Sequence, residues 1–244
     1  MHPILLIPAR LKSVRLPAKP LAEIGGLPMI VRVLRQAEAA ALGPVVVAAA
    51  EAEIAAVVEK AGGRAVLTDP ELPSGSDRIH AALEKIDPER RHDVVVNLQG
   101  DLPALDPAQI RAVAAALADS GADIATLAAE ITDPAERDNP SVVKAVVAWK
   151  DGLGRALYFT RATAPSGEGP LYHHVGIYAF RRPALDRFVS LPPSPLEKRE
   201  KLEQLRALEA NMSIAVARVD RVPISVDTPA DLAKANLHFS RTSP

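Results

Sequence analysis

Four cations, Arg10, Lys12, Arg15 and Lys19, fall within ten residues of one another, directly after the short apolar run Ile4–Ile7. Pro8, Pro17 and Pro20 frame them, so the backbone that carries them is neither helix nor central strand and has reduced freedom. Guanidinium and ammonium groups both pair with phosphate oxygens. A stiff cationic loop at the carboxyl end of a buried parallel strand also lies where open α/β sheets bind ligands. A polyphosphate suits this chemistry; a solvated basic loop is the plain alternative. Two aspartates can complete such a site. Asp101 follows Gly100 at the end of the apolar run 93–99, and Asp227 follows the apolar run 222–226. An aspartate at a strand end can simply cap the next helix, but each of these has a neighbour better placed to do so. Asp106-Pro107-Ala108-Gln109 supplies its own N-cap and first-turn proline, and Thr228-Pro229-Ala230-Asp231 does the same one residue after Asp227. Two carboxylates left over at strand ends suit Mg²⁺, a hard ion that takes one or two carboxylates with phosphates and water. The expectation is that Asp101 and Asp227 converge although 126 positions apart.

The elements that must position these residues follow from periodicity. Ile4–Ile7, 45–47, 65–67 and 93–99 read as buried strands. Gly25-Gly26 makes a turn, a helix runs from Pro28 to about Ala41, and a second covers 51–61 before Gly62-Gly63. The β-α alternation predicts an α/β fold with a mostly parallel sheet. Residues 68–75 form a loop before a helix to Ile86, and Ser74 or Ser76 can be no more than its cap. A helix at 107–119 precedes strands at 123–130, the less β-branched of the two and a candidate edge, and at 142–148. Residues 153–164 and 172–180 read as a hairpin-like addition to the sheet. Helices are expected at 183–190 and 196–210. In the second of these, Leu196, Leu202, Leu205 and Leu208 share a face, so Glu203 and Gln204 can lie on the solvated side. Strands at 214–219 and 222–226 precede the last helix. His173-His174 tempts a zinc reading, but there is no H-x-x-x-H spacing and no cysteine to complete a site.

Composition bounds the function. The chain has 244 residues, enough for one large α/β domain with a smaller lobe. Its 29 basic and 30 acidic residues nearly cancel, and aromatics are 3% of the chain, which argues against a nucleic-acid partner. The absence of cysteine excludes disulfides and thiol chemistry and fits a cytoplasmic protein. Met1-His2-Pro3 leads straight into a strand, and no apolar run approaches the roughly 20 residues of a membrane span. A soluble, unprocessed protein without a membrane partner is expected.

The run Ile7-Pro8-Ala9-Arg10 through Ser13, Arg15-Leu16-Pro17 and Lys19-Pro20-Leu21 resembles the signature of the sugar-activating cytidylyltransferases, most closely the 3-deoxy-manno-octulosonate (Kdo) cytidylyltransferase family. Further blocks keep the family's order along the chain: Ser74-Gly75-Ser76-Asp77-Arg78, Asn97-Leu98-Gln99-Gly100-Asp101, Tyr158-Phe159-Thr160-Arg161, His173-His174-Val175-Gly176-Ile177-Tyr178, Pro195-Leu196-Glu197 with Leu202-Glu203-Gln204, and Val226-Asp227-Thr228-Pro229. The resemblance implies a Rossmann-like nucleotidyltransferase sheet as one domain over 1–244. A small β-rich lobe at about 153–182 would serve sugar binding and homodimerisation. It implies transfer of CMP from CTP to Kdo for lipopolysaccharide biosynthesis, with Mg²⁺ on Asp101 and Asp227. Pro8, Ala9, Arg10, Arg15, Lys19, Ser74, Gly75 and Gln99 would then meet the nucleotide, and Arg78, Gln99, His174, Tyr178, Glu203 and Gln204 the sugar acid. Another acid sugar, such as 8-amino-Kdo or a sialic acid, or a non-catalytic nucleotide-binding role, stands as the alternative. One departure bears on this. Where the family has Ala-Thr-Asp or Ala-Cys-Asp after the second strand, this chain has Ala48-Ala49-Ala50-Glu51, so the acid is missing or displaced by one residue.

Overall fold

The computed structural model describes residues 1–242, which divide into two compact units: Met1–Ile110 together with the segment from Pro223 onward, and Arg111–Val222. The first unit begins with β1 (Pro3–Ala9), whose Ile4, Leu5, Leu6 and Ile7 are completely buried. The cationic loop follows and closes in a single 3₁₀ turn at Lys19–Leu21. Next come the small hairpin β2 (Glu23–Ile24) and β3 (Leu27–Pro28), then α1 (Met29–Ala39), β4 (Val45–Ala49), α2 (Ala52–Lys60), β5 (Ala65–Leu67), α3 (Gly75–Ile86) and β6 (Val94–Asn97). The strand order in this unit is β5-β4-β1-β6 and the pairings are parallel. Parallel neighbours need crossovers, and α1, α2 and α3 supply them. The hairpin turns at Gly25-Gly26, where φ of +54° and +79° requires residues without a Cβ.

Helix α4 (Pro107–Ser120) carries the chain into the second unit. There the elements are β7 (Ile124–Glu130), α5 (Pro134–Arg137), β8 (Lys144–Lys150), β9 (Leu153–Thr160), β10 (Tyr172–Arg181), α6 (Arg182–Ser190), α7 (Pro195–Glu200), α8 (Leu205–Glu209) and β11 (Ile214–Val219). The order is β10-β7-β11-β9-β8. The pair β7–β11 is parallel, and β7–β10, β9–β11 and β8–β9 are antiparallel. The sheet strands of the chain are therefore mixed, with the parallel part concentrated in the first unit. The second unit is also wider than the lobe expected at about 153–182.

Four local expectations need correction. Strand β7 is no edge: it lies between β10 and β11 with six of its seven residues buried, because small side chains such as Ala125, Ala128 and Ala129 let both faces be covered. The hairpin is β8–β9, closed by Asp151-Gly152 at φ +51° and +81°, and β10 pairs with β7 instead of β9. The expected helix 196–210 is two short helices. Lys201 ends α7 in the left-handed region, and Arg161 binds the terminal carbonyl of Glu200 at 2.9 Å. Residues 222–226 form no strand, since Pro223 has no amide to donate. The last helix, α9 (Pro229–Thr242), returns to the first unit, where Leu232 and Phe239 pack with Leu16 around Ile24, Met29, Val226 and Ala235. Among the described residues no helix is long and apolar enough to cross a membrane.

Candidate active site

The carboxyl ends of β1 and β4 lie level, with Ala9 opposite Ala49, and β6 ends three residues earlier, with Asn97 opposite Leu6. The cationic loop leaves β1 at this rim, and two glycines let neighbouring segments close on it. A Cβ at Gly100 would stand 2.9 Å from Pro8 O, and one at Gly75 3.2 Å from Pro8 Cγ. The loop after β6, the start of α3 and Pro8 thus meet at backbone distance. They wall a cavity of about 500 Å³, a size typical of small-molecule sites.

The two aspartates converge in this wall. Lys19 Nζ donates to Asp101 Oδ2 at 2.8 Å and to Asp227 Oδ1 at 3.0 Å, while Arg15 Nη2 lies 3.2 Å from Asp227 Oδ2. A backbone hydrogen bond from Val226 N to Asp101 O, 2.9 Å, ties the two segments together. The capping arithmetic that left these carboxylates over also holds. Asp231 N donates to Thr228 Oγ1 and the Asp231 carboxylate accepts from Thr228 N, while Asp106 Oδ1 accepts from Ala108 N. Burial alone pushes the Lys19 ammonium down, but the two carboxylates outweigh it and hold its pKa above the usual lysine value. Two hard carboxylate oxygens that already share one cation are a donor set that fits a magnesium-type ion, with phosphate and water completing the shell.

Every first-unit residue expected from the sequence lines this cavity: Pro8, Ala9, Arg10, Arg15, Lys19, Ser74, Gly75, Arg78, Gln99, Asp101 and Asp227. Two of them also carry local duties. Ser74 is the N-cap of α3, accepting from Asp77 N at 3.2 Å and donating its hydroxyl proton to Asp77 Oδ2 at 2.6 Å. The Arg78 guanidinium, 2% exposed, donates to Thr68 Oγ1, Asp69 O and Pro70 O and so pins the loop before α3. Burial, with Arg10 nearby, lowers its pKa. Lys12, Ser13 and Val14 line the cavity too; their place inside the cationic loop was the signal. Glu51 stands out in the sequence only as an acid displaced by one residue, with no role attached to it. Its Oε2 accepts from Leu11 N at 2.9 Å, a contact across 40 positions that no local pattern announces.

The other expected sugar-binding residues belong to the second unit. His174 is 9% exposed. Thr126 Oγ1 stands 3.0 Å from its Nε2, 2.8 Å from the carbonyl of Ile177 and 3.1 Å from that of Val175. With its single proton given to the nearer carbonyl, the hydroxyl oxygen is placed to accept from an Nε2–H. Burial, reinforced by His173, pushes the His174 pKa down to about 3. Its ring meets Phe159 at 4.9 Å and Tyr178 at 5.6 Å between centroids. Burial first, then the charge of Glu203, pushes the Tyr178 hydroxyl upward. Gln204 lies in the turn before α8, 7% exposed, so it is not on a solvated helix face. Arg161 is structural, binding Glu200 and Pro140 O, and His173 Nδ1 stands 3.1 Å from Glu136.

Known proteins share this fold. The solved structure of a CMP:2-keto-3-deoxy-manno-octonic acid synthetase complexed with CTP superposes with a TM-score of 0.93 at 35% identity, covering all of both chains. A nucleotidyl transferase from Methanothermobacter thermautotroptrophicus, Mth528, shares the fold at a TM-score of 0.62, with 15% identity, covering 99% of this chain and 99% of that one. In sequence, the 3-deoxy-manno-octulosonate cytidylyltransferase of Parvibaculum lavamentivorans is 65% identical over 243 residues, 99% of this chain and 94% of its own. The cytidylyltransferase family model matches residues 4–214. With the cationic loop and the paired aspartates in one cavity and likeness running the length of the chain, the protein belongs to the 3-deoxy-manno-octulosonate cytidylyltransferase family.

Proposed function

We propose that this chain catalyses CTP + Kdo → CMP-Kdo + pyrophosphate as a magnesium-dependent cytoplasmic homodimer that serves lipopolysaccharide synthesis. The observation that carries the reading is the meeting of Asp101 and Asp227 on Lys19 inside a cavity that Arg10 and Arg15 also line. The choice of Kdo rests on the names of the full-length relatives.

The reaction is a displacement at the α-phosphorus. The anomeric hydroxyl oxygen of the sugar forms the new bond, the bond to the β,γ-pyrophosphate breaks, and the hydroxyl proton is lost to solvent. Such chemistry depends on positioning and neutralised charge more than on a covalent nucleophile. Arg10, Arg15 and Lys19 hold the triphosphate and offset the charge that builds on the departing pyrophosphate. Asp101 and Asp227 would hold the metal, which when bound polarises the phosphate and lowers the pKa of an oxygen nucleophile. Pro8, Ala9, Ser74 and Gly75 offer backbone groups to the nucleotide, since the Ser74 hydroxyl is committed to Asp77. Arg78 and Gln99 are proposed for the sugar acid. In the second unit His174, Tyr178, Glu203 and Gln204 are proposed for the same ligand, His174 as a neutral hydrogen-bonding ring.

The test is pyrophosphate release with CTP and Mg²⁺, in the presence of Kdo, 8-amino-Kdo, sialic acid or no acid sugar. Release that requires Kdo, and that falls about a hundredfold or more in Asp101→Asn and Asp227→Asn, is expected. Release with another acid sugar alone would move the substrate assignment. No release with any of them would overturn the activity. Light scattering decides the dimer.

A further inference from the structure

The ladder between β1 and β4 has its last backbone rung at Ala50 N, which donates to Ala9 O at 2.9 Å. Beyond it the two segments part, one into the cationic loop and the other into α2. Glu51 stands at the fork. It is the N-cap residue of α2, extended at φ −122° and ψ 147°, where a side-chain oxygen ordinarily folds back onto the first helical amides. The Glu51 side chain makes no such bond. It reaches the other way, and its Oε2 accepts the Leu11 N–H at 2.9 Å. Leu11 sits between Arg10 and Lys12, so the tie is made at the root of the loop, between its first two cations. Residues 10–18 have no regular secondary structure of their own. A carboxylate-to-amide bond is among the stronger hydrogen bonds available to hold such a segment.

Charge supports the same assignment. A carboxylate beside a polyphosphate site would ordinarily repel its ligand, but the charge of Glu51 also acts on Arg78, where with Asp69 it opposes the repulsion that Arg10 exerts on the buried guanidinium. Ala50, 7% exposed, contributes its backbone to the last rung. The acid displaced by one position therefore acts on the loop's backbone, from the end of the neighbouring strand.

We propose that Glu51 is a positioning residue for nucleotide binding: its carboxylate forms a side-chain rung beyond the sheet that holds the Arg10–Lys12 limb of the cationic loop against the cavity. The proposal rests on the reading that this loop takes the triphosphate of CTP. The experiment has two readouts, applied to Glu51→Ala and to Glu51→Gln, which keeps an acceptor without the charge. The first is amide hydrogen exchange in the ligand-free protein, comparing a peptide over residues 10–18 with one over α2. In Glu51→Ala the loop peptide exchanges about tenfold faster or more, the size expected for loss of a hydrogen bond to a charged acceptor, while α2 is unchanged. The second is steady-state kinetics, where KM for CTP rises about tenfold and kcat changes by less than about threefold. Glu51→Gln falls between wild type and alanine in both. Loop exchange at the wild-type rate in Glu51→Ala overturns the proposal, as does faster exchange confined to α2, which would make Glu51 an ordinary helix cap. If the wild-type protein turned over no CTP, the functional reading would fail, yet the ligand-free exchange would still decide the tether.

Discussion

At the scale of single residues, a half-buried lysine and a buried histidine are driven in opposite directions by what surrounds them. Lys19 loses solvation but gains two carboxylates, and keeps its proton more tightly than a lysine in water. His174 loses solvation among Phe159, Tyr178 and the Thr126 hydroxyl with no anion to compensate, so it stays neutral down to about pH 3. The second case has a measurable consequence. In the unfolded chain His174 takes up a proton near its ordinary value of 6.5, and the native state refuses it until about 3. Between those limits the unfolded state binds more protons, and stability falls by about 1.4 kcal/mol per pH unit of acidification on account of this residue. Chemical denaturation from pH 7 to 3.5 should show a flatter acid limb in His174→Gln than in wild type. Parallel limbs would mean that the folded protein protonates His174 at an ordinary pH.

Elements set how closely the site is drawn together. The approach of Pro8 to the loop after β6 leaves no room at Gly100, where an added Cβ would press on a backbone oxygen at 2.9 Å, whereas at Gly75 it would meet only a proline ring carbon at 3.2 Å. Gly100→Ala should therefore displace Asp101 and lower pyrophosphate release by about ten- to a hundredfold, with Gly75→Ala milder. Equal effects at the two positions would show that the contact with Pro8 O does not set the geometry. Much of this was legible in advance, because buried parallel strands write themselves as short apolar runs and the site residues follow their carboxyl ends. The capping logic at Asp106 and at Thr228 with Asp231 also identified the two spare aspartates correctly. What was not legible came from contacts distant in sequence. Arg161 and Thr160 bind Glu200 and stop α7 where the leucine spacing alone continues it. Glu51 reaches Leu11 over 40 positions. The β8–β9 hairpin is different: Asp151-Gly152 is a plain turn signal that the sequence carries locally.

For the whole molecule, the first unit is discontinuous in sequence. Asp227, Val226 and α9 all come after the second unit, and Lys19 meets Asp227 across 208 positions. A chain stopped after Val222 lacks one of the two carboxylates and the cover that Leu232 and Phe239 give to Ile24 and Met29. It should bind no CTP by calorimetry and expose apolar surface to a hydrophobic dye. If the shortened chain bound CTP with wild-type affinity, the dependence on the returning segment would be disproved. The same arrangement has a consequence during synthesis. At roughly 5–20 residues per second, the stretch between the first part of this unit and Asp227 takes on the order of ten seconds to emerge. For that interval the nascent chain holds a finished β1 and its cationic loop beside an uncovered apolar face, which makes it a natural client for chaperones at the ribosome.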